Sequence, residues 1–292
     1  MSDSPASLRH TIDGAGDLGS VVRSMKALAA ASIGQYERAV LALSDYARTV
    51  ELGLVVCLRE QEAAPRAPAP GRPETGTRAI VFGSDQGLVG QFNDVLSEFV
   101  SRALGARPGT KTVWAVGARI HARLADNGLA PAGLFTVPAS VNAITALVGQ
   151  ILVESEAHPA AGAAGELFLF HNAPRSGAAY EPVSQRLLPL DAEWQVRLAR
   201  LPWPGRTRPE VVGARGPTTR ALIREYLFVS LFRACAESLA SENASRLAAM
   251  QRAEKNINDL VADLNQRFRR LRQTSIDEEL FDVLSGYESL SK

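Results

Sequence analysis

Hydrophobic positions recur at helical spacing in two long stretches, one near each end of the chain. Between Leu18 and Glu60 there is no proline, and apolar residues follow one another at steps of three and four. These residues are Val22, Met25, Ala29, Ile33, Tyr36, Val40, Leu43, Ala47, Val50 and Leu54. From Thr218 to Lys292 there is again no proline and only one glycine, Gly286. The pattern predicts a long helix in each stretch.

The length of these stretches predicts how the two helices find their partners. A helix of ~70 residues would be ~100 Å long at 1.5 Å per residue. A whole domain of ~130 residues has a radius of gyration near ~14 Å, so no domain of this chain could enclose such a helix. Most globular helices run ~8–20 residues, and much longer patterns are typical of coiled coils. We therefore expect an antiparallel coiled coil that needs a further partner, which favours a structural or mechanical role over catalysis.

The region between the two stretches has a different pattern. Residues 61–76 contain four prolines and two glycines and are predicted to be a linker. Residues 77–212 alternate short apolar runs with helical patterns, which is typical of a parallel sheet with helices on its faces. The predicted division is a helix in residues 1–60, the linker, a small Rossmann-like α/β domain in residues 77–212, and a helix in residues 213–292. The fold class is thus α plus α/β.

The predicted elements of the α/β domain can be given by residue. The strands are Arg78–Phe82, Thr112–Val116 and Glu166–His171, and Val183–Leu190 is a strand or extended edge. The helices are Phe92–Leu104, Arg119–Asn127 and Asn142–Glu156. Pro217 suits the first turn of the C-terminal helix, where its missing N–H costs nothing.

A glycine-rich segment from Gly83 to Gly90 follows the first predicted strand. Such a turn can hold a phosphate at the N-terminus of the next helix. The spacing of Gly83, Gly87 and Gly90 differs from that of a dinucleotide fingerprint, and the lysine of a P-loop is missing. We therefore interpret Ser84, Asp85, Gly87 and Gly90 as a structural strand-to-helix turn.

Composition and charge exclude several other functions. The 292 residues carry a formal net charge of +1, so no overall field attracts nucleic acid or an anionic membrane. No apolar run reaches the ~20 residues of a membrane span. Two cysteines without a signal peptide indicate a reducing cytoplasm. The four histidines have no metal-ligand spacing, and we predict no catalytic, cofactor-binding or metal-binding residues.

Three blocks of sequence resemble one family, the gamma subunit of F-type ATP synthases. Ser24–Ser32 is similar to its N-terminal helix block, and Ser84–Gly90 to its (S/T)D-x-GLCG turn. The third block is Glu225–Leu290. Within it, Glu237–Met250 resembles the family's ES-x-ASE-x-AARM-x-AM segment and Arg272–Leu280 its RQ-x-xIT-x-EL segment. The resemblance extends over the whole chain in the right order.

The chain also departs from the family pattern. Asp277 stands where the family has threonine, and Lys26 where an acidic residue is common. Ile33–Tyr36 replaces a basic run. These departures are typical of a divergent branch, such as an alternative or sodium-type synthase.

The resemblance implies a non-catalytic rotor subunit of the central stalk. In the family, the two helices form a coiled coil inside a ring of three alpha and three beta subunits. The epsilon subunit and the ring of membrane c subunits bind at the foot. The implied location is peripheral, on the cytoplasmic face of the bacterial inner membrane. The residues expected to contact the beta catch loops are Met25, Lys26, Arg272, Gln273 and Asp277.

Placing Met25 beside Gln273 makes a further prediction about the cysteines. In an antiparallel pair, Cys57 would then lie beside about residue 241. Cys235 would be about six residues, or ~9 Å, away along the axis. We therefore expect no disulfide between them.

Two other functions compete with the rotor. One is an enzyme whose α/β domain binds a phosphorylated ligand at Gly83–Gly90, with the helices as a dimerisation stalk. The other is a coiled-coil scaffold that forms homodimers. Missing catalytic residues count against the first, and uneven apolar spacing around Ser241–Ser245 counts against the second.

Overall fold

The computed structural model describes residues 4–59, 76–157, 165–175, 180–190, 203–207 and 209–290. Its helices are α1 Pro5–Arg59, α2 Phe92–Gly105, α3 Ala118–Asp126, α4 Val141–Ala157 and α5 Arg215–Leu290. Its strands are β1 Thr77–Phe82, β2 Lys111–Val116, β3 Gly133–Phe135, β4 Glu166–Pro174 and β5 Tyr180–Leu188. The predicted linker lies outside the described residues except for Gly76.

The chain divides into two compact units. One combines the residues up to Ala29 with those from Leu247 onward, and the other is Ala30–Arg246. Helices α1 and α5 each contribute to both units. The predicted division into residues 1–60, 77–212 and 213–292 remains a prediction.

A five-stranded sheet forms the centre of the second unit. Its strand order is β3-β2-β1-β4-β5, with β5 antiparallel to β4 and the other neighbours parallel. The predicted parallel α/β sheet is therefore confirmed, and the bounds of α2, α3 and α4 agree with the prediction within one residue. Strand β3 was not predicted, because three half-exposed residues show no periodicity.

Successive side chains of each strand point to opposite faces of the sheet, so each face has its own hydrophobic core. Ala79 and Val81 of β1 face the side covered by α2 and α3, while Ile80 and Phe82 face the side covered by α4 and α5. On the α5 side the helix contributes Leu231, Ala234, Cys235, Ala236, Leu239 and Ala240 to the core. The second face of the sheet is thus closed by a helix that the sequence analysis assigned to the coiled coil alone.

The predicted apolar seam of α1 is also observed. Val22, Ala29 and Tyr36 are buried at seven-residue spacing, and Val50 continues the same position two heptads later. This is the period of a left-handed coiled coil. Every residue predicted for the seam is at least half-buried.

Candidate functional site

Helices α1 and α5 pair antiparallel within the first unit. Lys26 Nζ lies 2.5 Å from Glu254 Oε2, and both side chains are only partly exposed. A Cβ added at Gly19 would lie 3.4 Å from Ile257 Cγ2. The missing side chain of Gly19 therefore leaves room for Ile257. Because Lys26 faces Glu254, Met25 does not lie beside Gln273: nineteen residues separate Glu254 from Gln273, about 28 Å of helix. That part of the sequence prediction is wrong.

Within the second unit, too, the observed pairing of α1 with α5 differs from the predicted pairing. Gly53 packs against Leu222, where an added Cβ would lie 3.1 Å from Cδ2, and Tyr46 Oη donates a hydrogen bond of 2.7 Å to Glu225 Oε2. Cys57 therefore lies near the start of α5, and not beside residue 241. The distance along the helix from Leu222 to Cys235 is about 20 Å. Both cysteines are buried and free, and the expected absence of a disulfide rests on a larger separation than predicted.

The error in register has a physical cause. Apolar steps of three and four repeat along both helices, so several alignments bury equivalent seams. The observed alignment contains the Lys26–Glu254 ion pair and places glycines opposite Ile257 and Leu222. None of these contacts can be recognised from periodicity.

The last part of α5 exposes a continuous apolar stripe. Beyond Leu264 no described residue of the helix is buried. Its exposed apolar residues are Ile276, Leu280, Phe281, Val283, Leu284 and Tyr287, each more than half exposed. Steps of four, three and four put four of them on one helical face. An exposed apolar stripe on one face of a helix is typical of an interaction surface.

The predicted partner-binding residues fall into two groups. Met25 and Lys26 are half-buried, and Lys26 is already paired with Glu254. Arg272, Gln273 and Asp277 are exposed and lie at the start of the apolar stripe. The structure therefore does not bring the five residues together, and their contact with a partner stays a prediction.

The turn after β1 is held by hydrogen bonds within the protein. The Asp85 carboxylate accepts hydrogen bonds from the backbone N–H of Ala118 at 2.8 Å and of Val137 at 2.9 Å. Asn93 donates to Ser84 Oγ and accepts from the Ser84 N–H. The Asp85 carboxylate thus binds the first N–H of α3 and connects the turn to the segment after β3, as expected for a structural turn.

Two turn residues have a left-handed backbone. Leu88 and Gly90 have φ of 63° and 57°, a region that glycine adopts without strain. Gly87 has room for a side chain, since an added Cβ would meet only Arg119 Nη2, at 3.8 Å. Glycine at position 90 thus adopts this backbone without the strain that Leu88 carries.

Helix α5 contacts the domain at the carboxyl end of β1. In an open α/β sheet, ligands bind beyond the carboxyl ends of the strands where the strand order reverses, here between β1 and β4. At the end of β1, Ser238 Oγ of α5 donates a hydrogen bond of 3.1 Å to the carbonyl of Phe82. The Ser245 hydroxyl donates to the carbonyl of Val89 at 2.6 Å. Helix α5 is thus hydrogen-bonded to the domain at the carboxyl end of β1 and in the turn that follows it.

One cluster of charged side chains was missed by the sequence analysis. His171 Nε2 of β4 lies 2.9 Å from Glu237 Oε2, and Arg233 Nε donates to Glu237 Oε1 at 2.7 Å. Burial alone would raise the pKa of Glu237, but hydrogen bonds and charge from His171 and Arg233 outweigh it, and the pKa is lowered. The cluster lines a cleft of about 380 Å³. His171 and Glu237 are 66 residues apart, and nothing in the sequence indicates that they are in contact.

The described residues hold no group of three His, Cys, Asp or Glu side chains that could bind a metal ion. Among the described helices, none is both long and apolar enough to cross a membrane.

A family profile described as ATP synthase matches residues 4–290. The chain belongs to this family. It is 27% identical to the ATP synthase gamma chain of Geotalea daltonii over 296 residues. The alignment covers 97% of this chain and 98% of the Geotalea chain. The gamma chain of Anaeromyxobacter dehalogenans is 26% identical, with coverage of 97% and 98%. The resemblance to gamma subunits noted in the sequence is thereby confirmed.

Solved structures of ATP synthases share the fold. A chain of the Euglena gracilis mitochondrial ATP synthase, in the OSCP/F1/c-ring structure, gives a TM-score of 0.63 at 11% identity and covers 98% of this chain and 94% of that one. A central stalk/c-ring chain of the Tetrahymena thermophila enzyme gives a TM-score of 0.57 at 20% identity, with coverage of 80% and 99%. At these identities the comparison establishes the fold: terminal helices with an inserted α/β domain.

Proposed function

We propose that this chain is the central-stalk rotor subunit of a rotary F-type ATP synthase. It would bind three alpha and three beta subunits, the epsilon subunit and the ring of c subunits, and would itself catalyse no reaction. Ion flow through the membrane sector turns the rotor, and the rotor drives the catalytic beta subunits through their conformations.

The observation that carries this proposal is the exposed apolar stripe from Ile276 to Tyr287 of α5. A monomeric protein gains nothing from exposing six large apolar side chains within twelve residues of one helix. A surrounding ring of subunits would bury them. Membership of the ATP synthase family supplies the identity of that ring.

The mechanism is one of differential contact. A rotor position can change a beta subunit only as far as it binds one beta conformation better than another. We assign this contact to Arg272, Gln273 and Asp277, which are exposed, with Met25 and Lys26 as a second contact further along the stalk. Arg272 suits carboxylates of the beta subunits, because its guanidinium can form two parallel hydrogen bonds.

We place the chain at the cytoplasmic face of a bacterial inner membrane, held there through its partners. The bacterial gamma chains that it resembles support this location.

Reconstitution tests the proposal. The chain is mixed with the alpha and beta subunits of its own organism, and complex formation and ATP hydrolysis are measured with and without it. We expect a stable complex whose ATPase activity depends on the chain. A chain that forms no complex and binds nucleotide as a monomer would contradict the proposal and favour the phosphate-binding enzyme.

Variants of the stripe sharpen the test. Leu280→Glu with Val283→Glu places charge on the stripe and should weaken assembly at least tenfold, because the partner would have to bury it. Val153→Glu is the matched control, since Val153 is 60% exposed on α4. Equal effects of the two changes would show that the stripe binds no partner.

A separate variant tests the contact residues. Arg272→Ala should leave assembly intact and reduce ATP-driven ion pumping, because charge-assisted bonds to beta are lost. Arg220→Ala removes an exposed arginine from the first part of the same helix and should change neither quantity. Unchanged pumping in the Arg272→Ala complex would remove Arg272 from the mechanism.

A further inference from the structure

Helix α5 buries polar side chains where it covers the sheet. Ser238 is 2% exposed, Ser241 1% and Ser245 9%, within a stretch otherwise made of core residues such as Leu239 and Ala240. Alanine would fit the helix at least as well and would bury no hydroxyl. The hydroxyls therefore call for an explanation beyond helix formation.

Two of the hydroxyls bind backbone carbonyls on the domain. Ser238 donates to Phe82, the last residue of β1, and Ser245 donates to Val89 in the turn that follows. The two serines are seven residues apart, so they lie on one face of α5, about 10 Å apart along its axis. Their acceptors lie at either end of the same strand-to-helix connection.

Glu237 supplies a third bond on the neighbouring position of the helix. Its carboxylate lies 2.9 Å from Nε2 of His171, which is 5% exposed on β4. Arg233 of α5 donates to the other oxygen at 2.7 Å. The carboxylate thus ties α5 to a second strand of the sheet.

These bonds differ in kind from the apolar contacts around them. Apolar burial is non-directional, so a helix covering a sheet keeps much of it after a small slide or rotation. A hydrogen bond needs its donor and acceptor at a set distance and angle. A slide of one residue along α5 would break all three bonds to the domain, leaving the two serine hydroxyls buried without partners and Glu237 paired only with Arg233 of its own helix, which is costly.

We propose that Ser238, Ser245 and Glu237 are positioning residues that fix the axial and rotational position of α5 on the α/β domain, so that torque passes between them without slippage. The torque part of this inference rests on the proposed function. The positional part does not, because it concerns contacts within the chain.

A distance measurement tests the positional part in the full chain. Spin labels are attached at Ala122→Cys on α3 and Ala221→Cys on α5, two exposed positions of the same compact unit. The native Cys57 and Cys235 are buried, and the chain without the new cysteines measures any labelling there. Electron paramagnetic resonance then gives the distribution of distances.

The variants are Ser238→Ala, Ser245→Ala, their combination, and Glu237→Gln. We expect the distribution to broaden or to shift by between ~1.5 Å, the rise of one residue, and ~5.4 Å, the rise of one turn. Ser241→Ala is the matched control, because Ser241 is equally buried on the same helix and its hydroxyl has no hydrogen-bond partner. It should leave the distribution unchanged.

A merely structural role would give a different result. It would lower the melting temperature of Ser238→Ala and Ser245→Ala without changing the distribution of distances, and that outcome would overturn the inference. Where the combined variant does not fold, the two single variants decide the question by the same criterion.

The torque part is tested in the assembled complex by the number of ions pumped per ATP hydrolysed against an opposing gradient. We expect Ser238→Ala with Ser245→Ala to lower this ratio at least twofold, and Ser241→Ala to keep it. Normal pumping by the variant complex would overturn the torque part and leave the proposed function standing. If the unmodified chain assembles with no partner, the proposed function fails, and the spin-label result still decides the positional part.

Discussion

Single residues determine how the turn after β1 meets the rest of the domain. Asp85 binds the start of α3 and the segment after β3, while Ser84 binds Asn93 of α2. Gly117, at the start of α3, lies directly against the turn with φ of 117°. The local packing therefore depends on residues that can be changed one at a time.

The first residue-scale prediction concerns Gly117. A Cβ at this position would lie 2.6 Å from the carbonyl oxygen of Ser84, and the positive φ adds strain for any L side chain. Gly117→Ala should therefore lower the free energy of unfolding by about 3 kcal/mol or more. Urea denaturation of the purified wild-type and variant chains measures this difference in free energy of unfolding.

Gly128→Ala is the control for this change. Gly128 has φ of 79° but no atom within 4 Å of an added Cβ, so only backbone strain applies. Its cost should be about 1 kcal/mol. Equal losses in the two variants would show that the contact with Ser84 contributes nothing.

The second residue-scale prediction concerns pH. Since the folded-state pKa of Glu237 is lowered, the ionised carboxylate stabilises the fold above its unfolded pKa. This contribution is lost as pH falls from the usual glutamate range, near ~4.3, through the folded value. Glu237→Gln should cost about 1–3 kcal/mol at pH 7, because a buried charge-assisted hydrogen-bond acceptor is lost.

The measurement is urea denaturation of both chains at a series of pH values from 7 to 3. The difference in free energy of unfolding should shrink as pH falls below about 4.3. Glu278→Gln, at an exposed position of α5, should show no such trend. A difference that stays constant down to pH 3 would contradict the assigned role of the Glu237 carboxylate.

At the scale of elements, the sequence predicts individual helices and strands better than it predicts how they pair. The strands β1, β2 and β4 are apolar runs buried on both faces, and such runs stand out from their surroundings. The register of α1 against α5 was predicted wrongly, because a repeating seam fits in several ways. Ser238 and Ser245 could not be predicted as contacts, since a serine in a helix looks the same whether exposed or bonded.

Cross-linking tests the register directly. Gly19→Cys with Ile257→Cys should form a disulfide on mild oxidation, because these positions are in contact. Met25→Cys with Gln273→Cys, the pair placed side by side on the basis of the family resemblance, should not. Cross-linking of the second pair within one chain would contradict the register described above.

At the scale of the whole molecule, residues and elements lead to one interpretation. The glycine-rich turn binds other parts of the chain, α5 is hydrogen-bonded to the carboxyl end of β1, and the end of α5 exposes apolar side chains. Of these features, the exposed apolar side chains favour a component of a larger assembly. The family resemblance was recognisable from three blocks of sequence, whereas the hydrogen bonds between α5 and the end of β1 required the structure.

Observing rotation tests the central claim most directly. The alpha and beta subunits are fixed to a surface, and a gold particle is attached to the chain at Ala122→Cys, an exposed position of α3. We predict rotation in one direction that depends on ATP and advances in thirds of a turn, because three beta subunits act in succession. ATP hydrolysis by the same complexes without rotation of the particle would contradict the account.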